Sequence, residues 1–163
     1  MWAWVKAILL LPVMPLVVFP AIILYATHYH FQPITPLRLI LTILFFCAGA
    51  CLAIWTMYLF DTQGNGTAAP WNPPKRLVIQ GPYRYVRNPM ITSVLLLLLA
   101  EYVFLKSTGI LILFGLFLIG NMIYFPLVEE KGLEKRFGQD YLLYKQNVPR
   151  WIPRVMPWDL PSS

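Results

Sequence analysis

The stretch of sequence that organises this chain reads Arg76-Leu77-Val78-Ile79-Gln80-Gly81-Pro82-Tyr83-Arg84-Tyr85-Val86-Arg87-Asn88-Pro89-Met90. It is rich in arginine, tyrosine and turn-forming residues, and a long apolar run begins where it ends. An acidic pair, Glu129-Glu130, follows the last apolar run of the chain. A polar loop of this composition is more elaborate than a connector requires. We therefore predict that the loop and the acidic pair are two halves of one binding site.

The amino-acid composition is that of a membrane protein. Of the 163 residues, 58% are hydrophobic and only 12% are charged, whereas about 25% are charged in a typical soluble domain. The net charge of +6 lies mainly at the ends of apolar runs, which suits lipid headgroups better than nucleic acid. Cys47 and Cys51 fit no disulfide or metal pattern, and we interpret them as small packing residues. We predict a single membrane domain over residues 1–163, with no nucleic-acid partner and no metal.

Four apolar runs predict an all-α integral membrane protein with four transmembrane helices. They lie at about residues 7–27, 37–60, 89–105 and 110–128. At ~1.5 Å per residue these runs can span a bilayer, although the third is only marginally long enough. The first run contains Pro12, Pro15 and Pro20. It predicts a kinked membrane helix rather than a cleaved signal peptide.

Two further segments complete the predicted architecture. The loop at 61–88 is long enough to have a function of its own. Residues 130–146 place Leu133, Phe137, Tyr141 and Tyr144 at helical spacing with charges between them. That spacing predicts an amphipathic helix at the membrane surface, divided at Gly138. The tail that follows mixes Pro, Trp and Arg, as an interfacial anchor does.

The distribution of Lys and Arg predicts the orientation. The 61–88 loop carries four, the C-terminal segment six and the N-terminus one. By the positive-inside rule, both termini and the loop face the cytoplasm. The loop and the C-terminal helix therefore share one face of the membrane.

Each candidate site residue also has a purely structural interpretation. Arg84 and Arg87 could bind lipid phosphate, or could grip a carboxylate or phosphate of a ligand. Tyr83 is either an interfacial aromatic or a surface for stacking a heterocycle. Asn88 could simply cap the third helix, with Pro89 at its first position.

The glutamate pair has the same two interpretations. Adjacent residues on a helix point about 100° apart, so Glu129 and Glu130 cannot both face one partner. A solvated helix end paired with Lys131 or Arg136 is the structural alternative. Because an acid at the cytoplasmic end of a span can hold a cationic ligand in a partly dry site, we expect one glutamate to turn toward the loop.

Taken in order, these motifs resemble a known family. Gly81-Pro82-Tyr83-Arg84-Tyr85-Val86-Arg87-Asn88-Pro89-Met90 is followed by Glu129-Glu130, by Phe137-Gly138-x-x-Tyr141-x-x-Tyr144 and by Val148-Pro149-Arg150. This order is similar to that of the isoprenylcysteine carboxyl methyltransferases, which are related to the membrane phospholipid N-methyltransferases. The resemblance covers roughly residues 60–154.

The resemblance implies a membrane methyltransferase that uses S-adenosyl-L-methionine and acts on a lipophilic or lipid-modified acceptor at the cytoplasmic face. Carried over by position, the cofactor-binding residues would be Lys75, Arg76, Leu77, Val78, Tyr83, Asn88, Pro89, Met90, Ile91, Glu129 and Glu130. The candidate catalytic residues would be Arg87, Asn88 and Glu130. Gly64-Asn65-Gly66 resembles a glycine pair associated with the cofactor in the phospholipid enzymes, although loop flexibility explains it equally well.

Three positions depart from the family pattern. Asn88 replaces the usual His and cannot titrate near neutrality, Ile91 replaces an aromatic residue, and Phe125 replaces a substrate-binding Arg. The last departure argues against a prenylated-cysteine carboxylate as the acceptor. Two alternatives to a methyltransferase stay open: an NADPH-dependent reductase of the sterol type, and a non-enzymatic membrane subunit.

Overall fold

The computed structural model describes residues 12–65 and 74–160, and helix is the regular secondary structure in these two ranges. Five α-helices are labelled here α1 (Phe19–Ala26), α2 (Pro36–Thr62), α3 (Pro89–Leu105), α4 (Thr108–Tyr124) and α5 (Glu130–Asn147). The all-α prediction is confirmed for these residues. The ends of the predicted second, third and fourth runs agree with α2, α3 and α4 to within a few residues.

The helix α2 packs along α3, and a glycine permits the close approach. A Cβ atom added at the buried Gly49 would lie 2.9 Å from Leu97 Cγ and 3.0 Å from the Ser93 carbonyl oxygen. No side chain fits there without moving α3, so a small residue at position 49 is what allows this close helix contact. By contrast, Cys47 and Cys51 are exposed on the outer side of α2. The prediction that they are packing residues is therefore wrong within the described chain.

Two side chains from elsewhere in the chain cap the last main-chain carbonyls of α3 by hydrogen bonds. Arg38 donates from Nε to the Val103 oxygen at 3.2 Å and from Nη2 to the Phe104 oxygen at 2.7 Å. The Tyr29 hydroxyl donates to the Leu105 oxygen at 2.5 Å. A helix leaves its last carbonyls without partners, and these two side chains satisfy three of them. We call this end the carbonyl cap.

The proline-rich N-terminal run is distorted, as predicted. Residues Met14–Val18 form a π-helical turn that continues into α1. A proline removes one amide donor from the ladder, and Pro15 lies inside this turn while Pro20 opens α1. The predicted start of this run, residues 7–11, lies outside the described residues.

The last two helices are continuous with each other. A π-helical turn at Phe125–Glu129 connects α4 to α5. Inside α5, Gly138 has φ +54° and ψ −127°, which is not helical, so the predicted division of this helix is confirmed. Lys145 Nζ lies 2.7 Å from Glu134 Oε1. Since eleven residues of straight helix would separate the Cα atoms of these two residues by roughly 16 Å, more than their side chains can bridge, the second half of α5 folds back toward the first.

The apolar stripe of α5 packs inside the molecule. Tyr141 and Tyr144 are buried, and with Val148 they form a cluster that is covered by Leu77, Ile79, Leu133, Phe137 and Trp158. This differs from the expectation that the stripe lies on the membrane. Leu77 and Ile79 come from the 61–88 loop, so the loop occupies the surface that lipid was expected to cover.

The outer surfaces of α2 and α4 are apolar. Two helices, Pro36–Thr62 and the continuous Thr108–Asn147, are long and apolar enough to cross a membrane, whereas Met14–Ala26 and Pro89–Leu105 are shorter. Large apolar side chains are exposed along both long helices, among them Ile40, Phe46, Ile112 and Leu116. A surface of this kind suits contact with lipid chains.

Candidate functional site

The two described parts of the 61–88 loop meet at Gly64. The Gly64 carbonyl accepts hydrogen bonds from the amides of Lys75 at 2.8 Å and Arg76 at 3.3 Å. A Cβ atom at Gly64 would lie 2.8 Å from the Phe60 oxygen, so close packing explains this glycine. Gly66, the second residue of the predicted glycine pair, lies outside the described residues. These hydrogen bonds bring the chain back to the end of α2 at Lys75.

Residues 76–80, which follow, form one wall of a cleft of about 450 Å³. Its lining residues are Gln63, Arg76, Leu77, Val78, Ile79, Gln80, Phe137, Asp140 and Leu160. The loop thus faces α5 and the C-terminal tail across the cleft. One cation, one carboxylate, two amides and one aromatic ring are present among mostly apolar neighbours.

A short 3₁₀ turn at Gly81–Arg84 follows the cleft wall. Gly81 has φ +54°, and a Cβ atom there would lie 2.9 Å from the Trp55 ring, so both the backbone and the packing favour glycine. The turn buries Tyr83 against Leu59 and Val78. The Tyr144 hydroxyl donates to the Tyr83 carbonyl at 2.7 Å, which ties the turn to α5.

The Glu130 carboxylate joins four segments of the chain. It accepts from Arg87 Nη1 at 2.8 Å, and from Arg150 Nε at 2.7 Å and Nη2 at 3.0 Å. Lys145 Nζ lies 3.2 Å away. Glu130 is only 2% exposed, and an isolated carboxylate would be very costly there. We call Glu130 with Arg87, Lys145 and Arg150 the carboxylate clamp.

The two glutamates have opposite electrostatic surroundings. Burial alone would raise the pKa of Glu130, but the bonds from Arg150 and Lys145 and the charge of Arg87 leave that pKa below its ordinary value. Burial raises the pKa of Glu129, and the charge of Arg136 opposes the rise only in part. Because adjacent helical residues point about 100° apart, one glutamate is expected to turn inward. That residue is Glu130, and both of its carboxylate oxygens are paired with cations. The other forms no hydrogen bond or ion pair with the described residues.

Four polar side-chain atoms in residues 83–88 are buried and have no partner among the described residues. They are Tyr83 Oη, Arg84 Nε, Arg87 Nε and Asn88 Nδ2. Burial raises the pKa of Tyr83 well above its ordinary value, so its hydroxyl stays protonated and can donate. Asn88 occupies the N-cap position of α3, with Pro89 in the first turn, but its side chain makes no capping bond. The predicted side-chain cap is wrong, because the Asn88 side-chain oxygen accepts no hydrogen bond from the first turn of α3.

The C-terminal tail lies along the turn as a strap, defined here as residues 148–160. The Arg87 amide donates to the Pro149 oxygen at 2.9 Å, the Arg154 amide to the Tyr85 oxygen at 3.0 Å and the Trp158 amide to the Arg84 oxygen at 3.1 Å. Arg84 also pairs with Asp159. The strap thus holds residues 84–87 by main-chain bonds as well as through the clamp.

The structure brings some of the predicted site residues together and separates others. Arg76, Leu77 and Val78 line the cleft, and Lys75 is exposed beside it. Arg87 and Glu130 are in direct contact within the clamp. The remaining predicted residues do not line this cleft; they are Tyr83, Asn88, Pro89, Met90, Ile91 and Glu129.

Several residues of the region were missed from sequence. Lys145 and Arg150 complete the clamp, and Phe137 and Asp140 form the second wall of the cleft. Arg150 and Phe137 stand inside motifs of the resemblance, so their positions carried a signal. Nothing in the sequence pointed to Asp140 and Lys145, because only the turn of α5 at Gly138 brings them to the site.

Comparison with known proteins identifies the family. The family model for phospholipid methyltransferases matches residues 37–140, which is well over half of the chain. The chain belongs to this family, a family of membrane methyltransferases, as the resemblance predicted. No curated protein and no solved structure matches. Nothing in these comparisons supports the reductase alternative.

Proposed function

We propose that this protein is an S-adenosyl-L-methionine-dependent methyltransferase that modifies a lipophilic acceptor, carboxylate or amine, at the cytoplasmic surface of a membrane. The family match supplies the reaction class. The observation that carries the cofactor proposal is the cleft between residues 76–80 and α5. Its volume of about 450 Å³ lies within the range of small-molecule sites, roughly 300–1,000 Å³.

The residues of the cleft fit the chemical groups of the cofactor. An amino-acid end requires an anion and a cation, which Asp140 and Arg76 can provide. An adenine requires an apolar or aromatic surface, and Phe137, Leu77 and Val78 line the same cleft. The cleft side chains would hold the cofactor. The unpaired Tyr83 hydroxyl, the unpaired Asn88 amide and the Glu129 carboxylate lie outside the cleft, so they would contact the cofactor where it extends beyond the cleft, with Glu129 as a second anion.

Methyl transfer requires little of the protein beyond orienting the two reactants and excluding water. S-adenosyl-L-methionine, when bound, supplies a methyl group already activated on a sulfonium. An in-line displacement then depends mainly on orientation and on exclusion of water. The carboxylate clamp serves orientation, because it fixes Arg87 relative to the start of α5. An amine acceptor must be neutral to attack, and a carboxylate acceptor needs no base.

The saturated state of Glu130 assigns different tasks to the two glutamates. Both oxygens of Glu130 are already engaged by cations, so Glu130 acts as a positioning residue for Arg87. Glu129 is half-buried, and burial raises its pKa, so it gains most from a cationic ligand. We propose Glu129 as the acid that faces the cofactor.

The membrane arrangement belongs to the same proposal. We propose that α1 with its π-helical turn, α2, α3 and α4 each span the bilayer, with both termini and the 61–88 loop on the cytoplasmic side. This arrangement puts the basic loop and the basic C-terminal segment on one face. A lipophilic acceptor would then reach the site laterally from the bilayer.

The test is calorimetric titration of the detergent-purified protein with S-adenosylhomocysteine, with NADPH in parallel. We expect S-adenosylhomocysteine to bind and NADPH not to bind. Arg76→Ala should weaken the binding about tenfold, because a hydrogen bond to a charged group contributes ~1.5 kcal/mol or more. Lys135→Ala is the matched control, since Lys135 is an exposed cation outside the cleft, and it should bind as the parent does.

The other outcomes separate the alternatives. Binding of NADPH alone would support the reductase. Binding of neither ligand, in detergent and in lipid nanodiscs, would support the non-enzymatic subunit. If S-adenosylhomocysteine binds, transfer of a labelled methyl group to membrane lipids in the presence of S-adenosyl-L-methionine identifies the class of acceptor.

A further inference from the structure

The tip of the strap is apolar, and it is exposed although the strap itself is firmly held. Ile152 is 81% exposed, Val155 is 95% exposed and Met156 is 74% exposed. Main-chain bonds to the turn hold the strap at Pro149, Arg154 and Trp158, on both sides of these residues. Trp158 also packs on Tyr144, with ring centroids 6.0 Å apart. The fold therefore presents three large apolar side chains outward on an ordered segment.

The apolar tip is continuous with the outer surface of the helix end. The Trp151 ring meets the Phe125 ring edge-on at a centroid distance of 6.0 Å. Phe125 begins the π-helical turn after α4, in which Leu127 and Val128 are more than half exposed. An apolar belt therefore runs from the outer side of α4 onto the strap tip. Trp is enriched where such a belt meets the membrane–water interface.

The charges nearby favour lipid as the occupant of this surface. Lys131 and Lys135 are exposed just beyond the helix end, and anionic headgroups attract cations at this depth. A belt that continues a candidate membrane span and ends in Trp and basic residues has the character of an interfacial anchor. A partner protein would have to cover a surface that the bilayer already reaches.

We infer that the strap tip, Ile152 to Met156, inserts into the phospholipid headgroup layer beside the cytoplasmic end of α4. The burial of apolar area drives the insertion at about 25 cal/mol per Å². The backbone incurs little additional ordering cost, because main-chain bonds already hold the strap. Since the strap is bonded to residues 84–87, insertion holds the turn and the clamp at a constant depth in the interface. The inference rests on the membrane arrangement of the proposed function, but not on the proposed reaction or cofactor.

The experiment places a fluorophore at Val155. A bimane label is attached to Val155→Cys in a Cys47→Ser/Cys51→Ser background, in nanodiscs of phosphatidylcholine and phosphatidylglycerol. Lipids brominated near the headgroup or near the chain ends act as quenchers. Phe46→Cys, on the outer side of the apolar α2, is the deep reference, and Gln139→Cys, an exposed position in α5, is the aqueous reference.

We expect the label at position 155 to be quenched several-fold more than the label at 139. The shallow bromine should quench it more than the deep bromine, the reverse of the pattern at 46. Quenching at 155 no stronger than at 139 would overturn the inference. So would specific disulfide dimers of Val155→Cys, because a second copy of the chain would then occupy the surface.

Discussion

At one end of the α2–α3 pair Arg38 and Tyr29 donate to main-chain carbonyls, whereas at the other Arg87 donates to a glutamate side chain. The carbonyl cap supplies donors to the terminal carbonyls that every helix leaves without intrahelical partners. The carboxylate clamp instead joins residues from four segments, and four buried polar atoms in residues 83–88 have no partner among the described residues. Unpaired buried atoms also occur within about one turn of the carbonyl cap, at Thr42 Oγ1 and Glu101 Oε2. The cleft between residues 76–80 and α5 is what sets the clamp end apart as a place for a ligand.

The largest expected effect is on the clamp. Glu130→Gln leaves three cations around a neutral amide in a buried position. Because removal of one partner of a buried ion pair leaves uncompensated charge, we expect a loss of about 3 kcal/mol of stability. Thermal unfolding in detergent measures it. A variant that unfolds at the parent temperature would show that the clamp does not hold the segments together.

The clamp also predicts how stability depends on pH. The folded pKa of Glu130 is lowered, so its stabilising contribution is fully present above the pKa of an unfolded glutamate, about 4.3. The contribution is lost as the pH falls from there through the lower folded pKa. The parent should therefore lose stability more steeply than Glu130→Gln on acidification through this window. Parallel unfolding profiles of the two proteins would contradict the prediction.

The carbonyl cap should affect stability alone. Arg38→Met removes three donors at the far end, two of which satisfy carbonyls of α3. A charged hydrogen bond contributes about 1.5–3 kcal/mol, and we expect a total loss of about 2 kcal/mol because Pro33 and its neighbours stay near water. The affinity for S-adenosylhomocysteine should not change. A weakened affinity in the folded variant would remove the distinction between the two ends.

The smallest expected effect on stability is at Asn88. Its amide nitrogen has no partner among the described residues, so Asn88→Ala breaks no hydrogen bond from that atom. We expect a stability change below about 1 kcal/mol, together with a clear loss of methyl transfer or cofactor affinity. Unchanged activity would mean that the unpaired amide serves no ligand.

The fold was largely predictable from sequence because apolar runs of spanning length leave few alternatives. The start of α3 at Pro89, the distorted first helix and the break at Gly138 each follow from one residue type with a strong backbone preference. The packing surface of α5 could not be predicted in the same way. Its stripe of Leu133, Phe137, Tyr141 and Tyr144 has the same periodicity whether lipid or the loop covers it.

Several residues of the candidate site were predictable from sequence, but the contacts between them were not. The divergence of Glu129 and Glu130 follows from helix geometry, but that geometry does not indicate which of the two turns inward. The clamp partners Lys145 and Arg150 come to Glu130 only because α5 reverses at Gly138 and the strap returns along the turn. Contacts of this kind depend on tertiary packing, which the spacing of residues in the sequence does not encode.

The central claim is that the two adjacent glutamates have different tasks, and Glu129→Gln tests it most directly. Unfolding and S-adenosylhomocysteine titration should be measured on the same preparation, with Glu130→Gln beside it. We expect Glu129→Gln to be at least as stable as the parent, because a carboxylate whose pKa burial raises is replaced by a neutral group. We also expect an affinity at least about tenfold weaker, ~1.4 kcal/mol. A folded Glu129→Gln variant that binds S-adenosylhomocysteine as tightly as the parent would contradict the account.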